Sequence, residues 1–267
     1  MRKESITSAQ NPKIKNLLLL QEKSKARREQ GLFVVEGRRE LEHCLEAGFQ
    51  VRTVFVREDR LPELEPLAAR AECPVILLSP ALYAKVAYRE GTEGVLAEVE
   101  VRERRLEDLE LGGNPLVMVL ESVEKPGNLG AVLRSADAAR ADAVIVCDPL
   151  TDLWNPNLIR ASIGAVFTVP TVCASSAETI DWLKSRGIRI LTAQLQDSSW
   201  YYDVDMTVGT ALVMGTESTG LTDVWRRAAD AHIRIPMLGR LDSLNVSVSA
   251  AILLFEAVRQ RHGRVVR

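Results

Sequence analysis

Residues 116–134 read LVMVLESVEKPGNLGAVLR, and this stretch decides the fold that the sequence predicts. Its first part, Leu116 to Leu120, is a continuous apolar run, which is typical of a strand in a parallel sheet covered on both faces. A polar turn follows, and the pattern becomes helical from Leu129 to Ala139. The order of strand, turn and helix predicts an α/β unit, in which a ligand site lies beyond the carboxyl end of the strand.

The same alternation continues along the rest of the chain. Further apolar runs predict strands at Ala143–Cys147, Ile188–Leu191 and Thr210–Met214. The segments between them predict helices at Pro156–Ile163, Ala177–Ser185 and Asp223–Ala229, and a long last helix at Val246–Arg261. We therefore expect one α/β domain over residues 115–267.

A second, smaller α/β domain is predicted before it. Residues 1–101 contain shorter strand and helix patterns, which include an amphipathic helix from Asn11 to Ala26. Residues 102–114 are charged and end in Gly-Gly-Asn-Pro, which is typical of a linker between domains, although a solvated helix running into a turn is an alternative. The predicted organisation is a domain at 1–101, a linker at 102–114 and a domain at 115–267.

Composition excludes several classes of protein. The chain has 267 residues, of which 46% are hydrophobic and 26% charged, and this is ordinary globular composition. No run of 18 apolar residues predicts a membrane span. The four cysteines form no CxxC pair and only three histidines occur, so we expect neither a disulfide framework nor a metal site, and a reducing, cytoplasmic location fits.

Charge is distributed unevenly. The net charge is −2, but residues 1–40 contain ten Lys or Arg against five Asp or Glu. Such a basic segment can bind phosphates, and the residues expected to contact RNA are Lys13, Lys15, Arg27 and Arg28. A solvated helix face is an equally good reading of the charges alone.

Three glycine-containing segments follow predicted strands. In the first, Asn128 is a candidate N-cap and Arg134 lies about two helical turns further on. The second has the spacing G-x-x-x-x-G but lacks the lysine of a nucleotide-triphosphate loop, and it places Glu217 beside a glycine turn. The third brings small polar residues, among them Ser243 and Asn245, to a strand-to-helix junction. Their side chains cap the helix or face a polar ligand, and the residues alone do not separate these readings.

The order and spacing of the three segments carry a resemblance. The motifs are Pro126-x-Asn128-x-Gly130-x-x-x-Arg134, then Val213-x-Gly215-x-Glu217-x-x-Gly220-Leu221, and finally Ile235-Pro236-Met237 with Ser243-Leu244-Asn245-Val246-Ser247-Val248. They resemble the three motifs of the SpoU/TrmH class of SPOUT RNA 2′-O-methyltransferases over residues 115–262. More loosely, residues 8–15 and 27–37 are similar to the RNA-binding domain, related to ribosomal protein L30e, that precedes the catalytic domain in many rRNA-modifying members.

The resemblance implies a fold, a cofactor and an assembly. It implies a parallel-sheet catalytic domain with a C-terminal trefoil knot, and a homodimer in which the partner subunit completes the site. The implied dimer uses the last helix, with its apolar positions Val248, Ala251, Ile252 and Phe255, and the first helix of the catalytic domain. The implied cofactor is S-adenosylmethionine, and the positions that would bind it are Leu191, Thr192, Gly215, Ile235, Met237 and Leu244.

The resemblance also implies a reaction, which is methyl transfer to a ribose 2′-hydroxyl. The implied catalytic set is Arg134, Asn128, Glu217, Ser243 and Asn245. The resemblance implies that Arg134 activates the 2′-hydroxyl. Because arginine is effectively always protonated, the alternative to a role as base is that it stabilises charge on the oxygen and binds the neighbouring phosphate. The N-terminal domain favours rRNA of the large-subunit, 23S type as substrate. The alternatives are a tRNA 2′-O-methyltransferase and a non-catalytic RNA-binding assembly factor.

Overall fold

The structure is a computed structural model that describes residues 3–88, 93–216, 218–241 and 243–262. Its strands are β1 (Lys3–Ile6), β2 (Leu32–Glu36), β3 (Val51–Arg57), β4 (Val75–Leu78), β5 (Val95–Glu100), β6 (Leu116–Glu121), β7 (Ala143–Cys147), β8 (Thr171–Ala174), β9 (Arg189–Ala193), β10 (Ser199–Trp200), β11 (Thr210–Met214) and β12 (Ala231–Arg234). Its helices are α1 (Pro12–Glu22), α2 (Ser24–Gln30), α3 (Arg38–Glu46), α4 (Leu61–Arg70), α5 (Pro80–Val86), α6 (Pro126–Ala138), α7 (Pro156–Ser162), α8 (Ala165–Thr168), α9 (Ser176–Ser185), α10 (Asp223–Ala228) and α11 (Val246–His262).

The chain forms two compact units. The N-terminal unit contains the residues up to Arg102 together with Asp152–Thr168, and the C-terminal unit contains Glu103–Thr151 and the residues from Val169 onward. The sequence did not indicate that residues 152–168, which lie within the predicted 115–267 domain, pack with the N-terminal unit.

The N-terminal unit is built on a mixed five-stranded sheet in the order β1-β4-β3-β5-β2. Strands β1, β4 and β3 are parallel, whereas β5 is antiparallel to both of its neighbours. Helix α1 buries Ile14, Leu17 and Leu20 completely, at the three-residue spacing of one helix face. The predicted helix over residues 11–26 ends early, because the backbone at Lys23 is extended and separates α1 from α2.

Residues 152–168 bind to this unit through aromatic rings. Trp154 stacks on Phe33 with ring centroids 4.4 Å apart, and both Trp154 and Phe167 contact Phe49 edge to face. Buried aromatic pairs of this kind add about 0.5–1.5 kcal/mol beyond the area that they bury. The segment is therefore an integral part of the N-terminal core.

The C-terminal unit contains a seven-stranded sheet in the order β10-β12-β9-β11-β6-β7-β8, and every neighbouring pair is parallel. Strands β6, β7 and β11 are buried along their whole length, as their continuous apolar runs predict. Leu106 and Leu109, from the predicted linker at 102–114, pack in the core of this unit. The predicted α/β class, with a parallel C-terminal sheet and a smaller N-terminal α/β unit, is confirmed; the knot stays a prediction.

In the part of the chain that the structure describes, no helix is long and apolar enough to cross a membrane.

Candidate functional site

The segments after three strands of the parallel sheet meet at one edge. Because all the strands run in the same direction, the residues that follow β9, β11 and β12 all emerge at the carboxyl edge. They enclose a cavity of about 420 Å³, within the usual range of about 300–1,000 Å³ for small-molecule sites. Its lining is Ala193, Gln194, Leu195, Met214, Gly215, Thr216, Gly220, Ile233, Arg234, Ile235, Met237, Ser243, Leu244, Asn245, Val246, Ser249 and Leu253.

The segment after β11 folds into a tight turn that only glycine allows. A Cβ atom on Gly215 would lie 2.2 Å from the backbone carbonyl of Gly220, far inside contact distance. Thr216 and Gly220 exchange backbone hydrogen bonds of 3.2 and 3.1 Å across the turn, and Gly220 has a φ of +68°. The turn thus presents backbone to the cavity. Glu217, predicted to be catalytic, lies outside the described residues.

The segment after β12 ends at the first turn of α11. Asn245 caps this helix, because its Oδ1 accepts hydrogen bonds from the Ser247 N–H at 2.9 Å and from the Ser247 hydroxyl at 2.6 Å. Its Nδ2 donates to Oδ1 of Asn128 at 3.2 Å. Ser243 and Leu244, immediately before it, are exposed and line the cavity. Asn245 therefore both caps α11 and lines the cavity, two roles that the sequence left as alternatives.

Asn128 lies in a second, adjoining cavity. Helix α6 begins at Pro126, so Asn128 is its third residue and not the N-cap that the sequence suggested. Proline at the first helical position is already in helical φ, and the helix starts three residues earlier than the sequence suggested. The second cavity, of about 120 Å³, shares Gly215, Thr216 and Val246 with the larger one. The predicted motifs therefore border two adjoining cavities that share part of their lining.

Arg134 lies apart from both cavities. It is exposed on α6, eight residues after Pro126, and it lines neither space. Helix α6 packs against α11 in the same unit. Within one copy of the chain, Arg134 and the cavity residues do not form a single constellation.

Two residues predicted to bind the cofactor are core residues. Leu191 and Thr192 are fully buried inside β9, which pairs with both β11 and β12. The Thr192 hydroxyl lies 2.6 Å from Nδ1 of His232. The cavity starts one residue later, at Ala193, because side chains inside a central strand point into the packed faces of the sheet.

Two cavity residues that sequence reasoning missed carry buried polar atoms without a partner. Among the described residues, Oε1 of Gln194 and Nε of Arg234 have no hydrogen-bond partner. Buried polar groups are normally satisfied, so these atoms offer one acceptor and one donor to a ligand. Their positions in the sequence could have indicated a role at the site, because Gln194 directly follows β9 and Arg234 is the last residue of β12.

Among the described residues, this edge contains a buried thiol at the end of β7 and no cluster of metal-ligating side chains. Burial raises the pKa of the Cys147 thiol, at the end of β7, to about 12, so this group is protonated at neutral pH. No group of three or more metal-ligating side chains occurs among the described residues.

The four residues expected to contact RNA differ in availability. Lys15 and Arg28 are exposed, and Lys13 is exposed but paired with Glu4. Arg27 is 3% exposed; it donates to Asp152 at 2.6 Å and to the carbonyl oxygen of Leu20. The prediction for Arg27 is therefore wrong: the residue faces inward on α2, and its charge is used within the N-terminal unit.

Family models match both units. Residues 115–255 match the SpoU rRNA Methylase family, and residues 11–97 match the MRM3-like substrate binding domain. The predicted likeness to ribosomal protein L30e stays a prediction.

Individual relatives match over almost the whole chain. The Bacillus subtilis 23S rRNA (guanosine(2553)-2′-O)-methyltransferase RlmP is 30% identical over 94% of this chain and 98% of its own. An AdoMet-bound rRNA methyltransferase from Sinorhizobium meliloti is 30% identical and superimposes with a TM-score of 0.89, covering 96% of this chain and 98% of its own. A solved RNA 2′-O ribose methyltransferase is 41% identical with a TM-score of 0.85, covering 97% of this chain and 100% of its own.

These matches span both units and all three motifs. They confirm the predicted enzyme class, RNA ribose 2′-O-methyltransferase, and the predicted cofactor, S-adenosylmethionine. The chain belongs to the SpoU rRNA methylase family.

Proposed function

We propose that this protein transfers a methyl group to a ribose 2′-hydroxyl of 23S rRNA, with S-adenosylmethionine held in the 420 Å³ cavity. The observation that carries the proposal is the convergence of the three motif segments on that cavity and on the smaller one beside it.

The lining of the larger cavity suits this cofactor. Backbone at Gly215 and Gly220 and apolar contact from Ile235 and Met237 fit a neutral adenosine, while Gln194 and Arg234 offer an unused acceptor and donor. When bound, the cofactor supplies a sulfonium-activated methyl group, so the leaving group needs no metal. What remains for the protein is to orient the ribose and to handle the hydroxyl proton.

The polar residues between the two cavities are placed to orient the ribose. Asn245 is held by its hydrogen bonds to Ser247 and to Asn128, so its amide is fixed in the lining of the larger cavity and bonded to a residue of the smaller one. Ser243 lies two residues before it on the same lining. We assign Asn128, Ser243 and Asn245 to ribose positioning, and Glu217 to the same set on the motif alone.

Arg134 acts on the site of a second copy of the chain in this proposal. It is exposed and lines neither cavity, so a partner must bring it to the substrate. There its guanidinium stabilises negative charge that develops on the 2′-oxygen, or binds the adjacent phosphate.

The proposed dimer surface lies on α11. Val248 and Phe255 are 47% and 48% exposed, and Ala251 and Ile252 lie between them at helical spacing. An apolar stripe of this kind on a water-facing helix supports burial against a partner. Sedimentation analysis is expected to give a dimer. A monomeric mass with full activity would contradict the dimer.

The N-terminal unit favours rRNA over tRNA as substrate. It matches a substrate-binding domain, and the match of the whole chain to the 23S rRNA enzyme of B. subtilis covers 98% of that enzyme. Such a substrate places the enzyme in the cytoplasm.

The decisive experiment maps 2′-O-methyl groups in total RNA from cells with and without the gene. We expect loss of one methyl group from 23S rRNA and its restoration by the purified enzyme acting on large-subunit RNA. Loss from a tRNA would favour the tRNA reading, and an unchanged map together with no transfer in vitro would favour a non-catalytic RNA-binding factor.

A further inference from the structure

A buried carboxylate lies at the end of β6, beside the end of β11 from which the turn with Gly215 and Gly220 begins. Glu121 is the last residue of β6 and is 3% exposed, and it lines neither the larger nor the smaller space. Within the described ranges, no lysine or arginine pairs with it. A buried carboxylate without a counter-ion is stable only when hydrogen-bond donors replace water around it.

Both short hydrogen bonds of this carboxylate come from one residue. The backbone N–H of Thr222 donates to Oε2 of Glu121 at 2.8 Å, and the Thr222 hydroxyl donates to Oε1 at 2.6 Å. The Ser176 hydroxyl lies 3.4 Å from Oε1, but it is only 2.6 Å from Oδ2 of Asp148, which is the better acceptor for its single proton. Glu121 is therefore used chiefly to hold Thr222.

Thr222 directs its hydroxyl to Glu121 and not to the helix that it begins. It is the N-cap residue of α10, a position where a threonine hydroxyl usually accepts a backbone N–H, yet its side chain makes no capping bond. The hydroxyl donates to Glu121 in its place. The Thr222 hydroxyl thus bonds to Glu121 and makes no capping bond to α10.

The pair attaches the far end of the segment that follows β11 to β6. The segment leaves β11 after Met214, and Met214 is paired with Leu120, the residue before Glu121 on β6. Its far end is Thr222, which Glu121 holds. One strand therefore fixes both ends of the segment, and the segment contributes Gly215, Thr216 and Gly220 to the larger cavity.

We propose that Glu121 is a positioning residue for cofactor binding, which holds Gly215, Thr216 and Gly220 at the wall of the larger cavity through Thr222. This inference rests on the proposed assignment of S-adenosylmethionine to the larger cavity. Releasing the far end of the segment lets Gly220 move away from Gly215, and the cavity loses a wall.

The test measures S-adenosylmethionine affinity of the full-length protein by calorimetric titration without RNA. Glu121→Gln keeps the shape but leaves one oxygen where the two Thr222 donors need two, and we expect the Kd to rise about tenfold. Thr222→Val removes the hydroxyl, and we expect a similar rise. Both changes break the same contact between Glu121 and Thr222. The Kd of the double variant should therefore be no higher than the higher Kd of the two single variants. Thr222→Ser keeps the hydroxyl and should bind like the wild type.

The matched control is Asp142→Asn at the opposite edge of the same sheet. Asp142 also uses a carboxylate oxygen to accept a backbone N–H, that of Leu116 at 2.7 Å, so its loss lowers stability by the same kind of contact. We expect a lower Tm and an unchanged Kd. An equal rise in Kd for Asp142→Asn and Glu121→Gln would overturn the proposal, since the effect would then be general destabilisation.

A further variant, Gly215→Ala, tests separately whether the cofactor binds in the larger cavity and whether Glu121 positions the residues around it. Gly215→Ala places a Cβ against Gly220 and should weaken binding if the cofactor occupies the larger cavity. Unchanged affinity in Gly215→Ala would reject that assignment. Weak binding in Gly215→Ala with normal binding in Glu121→Gln and Thr222→Val would reject the role of Glu121 alone. If Glu121→Gln fails to fold, the Thr222→Val and Thr222→Ser pair still decides.

Discussion

The two sheets of this protein put their polar residues to different uses. In the C-terminal sheet all seven strands are parallel, so the segments after β9, β11 and β12 are forced together at one edge, where they enclose a cavity. In the N-terminal sheet β5 runs against its neighbours, so strand ends are divided between two edges. Its candidate ligand-binding residues lie instead on α1 and α2.

This difference shows which sequence signals are dependable. Motif residues at the carboxyl edge of a parallel sheet are brought together by the topology. A basic helix has no such constraint, and its side chains can be neutralised locally, as Lys13 is by Glu4 and Arg27 is by Asp152. Positive charge alone therefore identifies a surface less well than position in a fold does.

The largest expected effect tests whether the C-terminal site is complete in one chain. Arg134→Ala should lower the rate of methyl transfer by about 10³-fold, because charge on the oxygen loses its stabilising donor. S-adenosylmethionine affinity should be unchanged, since Arg134 does not line the cavity. Rates from single-turnover assays and Kd from titration measure the two effects separately.

A mixing experiment provides its control. Arg134→Ala mixed with an inactive cavity variant such as Asn245→Ala should regain activity if the arginine serves the partner's site. Arg134→Lys keeps the charge but not the planar set of donors, and little rescue is expected. Wild-type turnover in Arg134→Ala would remove the residue from the catalytic set.

The next effect concerns the tight turn after β11, at the carboxyl edge of the C-terminal sheet. Gly215→Ala should raise the Kd for S-adenosylmethionine by at least about tenfold, because the new methyl group meets Gly220 backbone at 2.2 Å. Gly112→Ala is the matched control, as no atom lies within 4 Å of its Cβ position. Equal affinity of the two variants would show that the turn does not bound the cofactor site.

A smaller effect tests the basic surface of the N-terminal unit. Lys15→Ala with Arg28→Ala removes two exposed charges, and we expect weaker RNA binding with a salt dependence reduced by about 0.7 in log–log slope for each lost contact. Filter binding over a range of salt concentrations gives both quantities.

The control for that surface uses two basic residues elsewhere in the same unit. Arg70→Ala with Lys85→Ala removes the same formal charge from α4 and α5. If both double variants lose the same RNA affinity, the loss is a general effect of removing positive charge. In that case α1 and α2 do not form the RNA-binding surface.

The smallest effect concerns Glu98, a buried carboxylate of the N-terminal sheet. Burial raises the pKa of Glu98 on β5, whose amide partner, Asn16, lies at 3.3 Å. A raised pKa means that the folded state holds a proton more tightly than the unfolded state, so this group lowers stability as the pH rises through its folded pKa. Glu98→Gln should therefore raise the Tm by about 2 °C at neutral pH.

The pH dependence decides that prediction. The difference in Tm between Glu98→Gln and the wild type should shrink as the pH falls toward the ordinary pKa of glutamate, where the wild-type carboxyl is also neutral. Thermal unfolding between pH 4 and pH 8 measures it. A difference that does not change with pH would mean that the gain comes from packing and not from charge.

The sequence by itself determined the fold class and most of the large cavity. Continuous apolar runs mark strands buried on both faces. The bounds of β7 and β11 match the prediction because each strand is buried at every position, so its first and last residues coincide with the ends of the buried run. Gly215, Ile235, Met237, Ser243, Leu244 and Asn245 line the cavity as the motifs implied. Gly215 and Ile235 directly follow β11 and β12, and Ser243, Leu244 and Asn245 directly precede α11, so the link from sequence to position is short.

Only the tertiary structure decided which charged and buried residues are available. Nothing local distinguishes Arg27 from Arg28, yet one is buried against Asp152 and the other is exposed, because the partner is 125 residues away in the chain. The packing of residues 152–168 with the N-terminal unit depends in the same way on aromatic contacts with Phe33 and Phe49. Glu121 reads as one more strand residue until the fold brings Thr222 to it. Contacts between residues distant in sequence obey no helical or strand period, so only the folded chain specifies them.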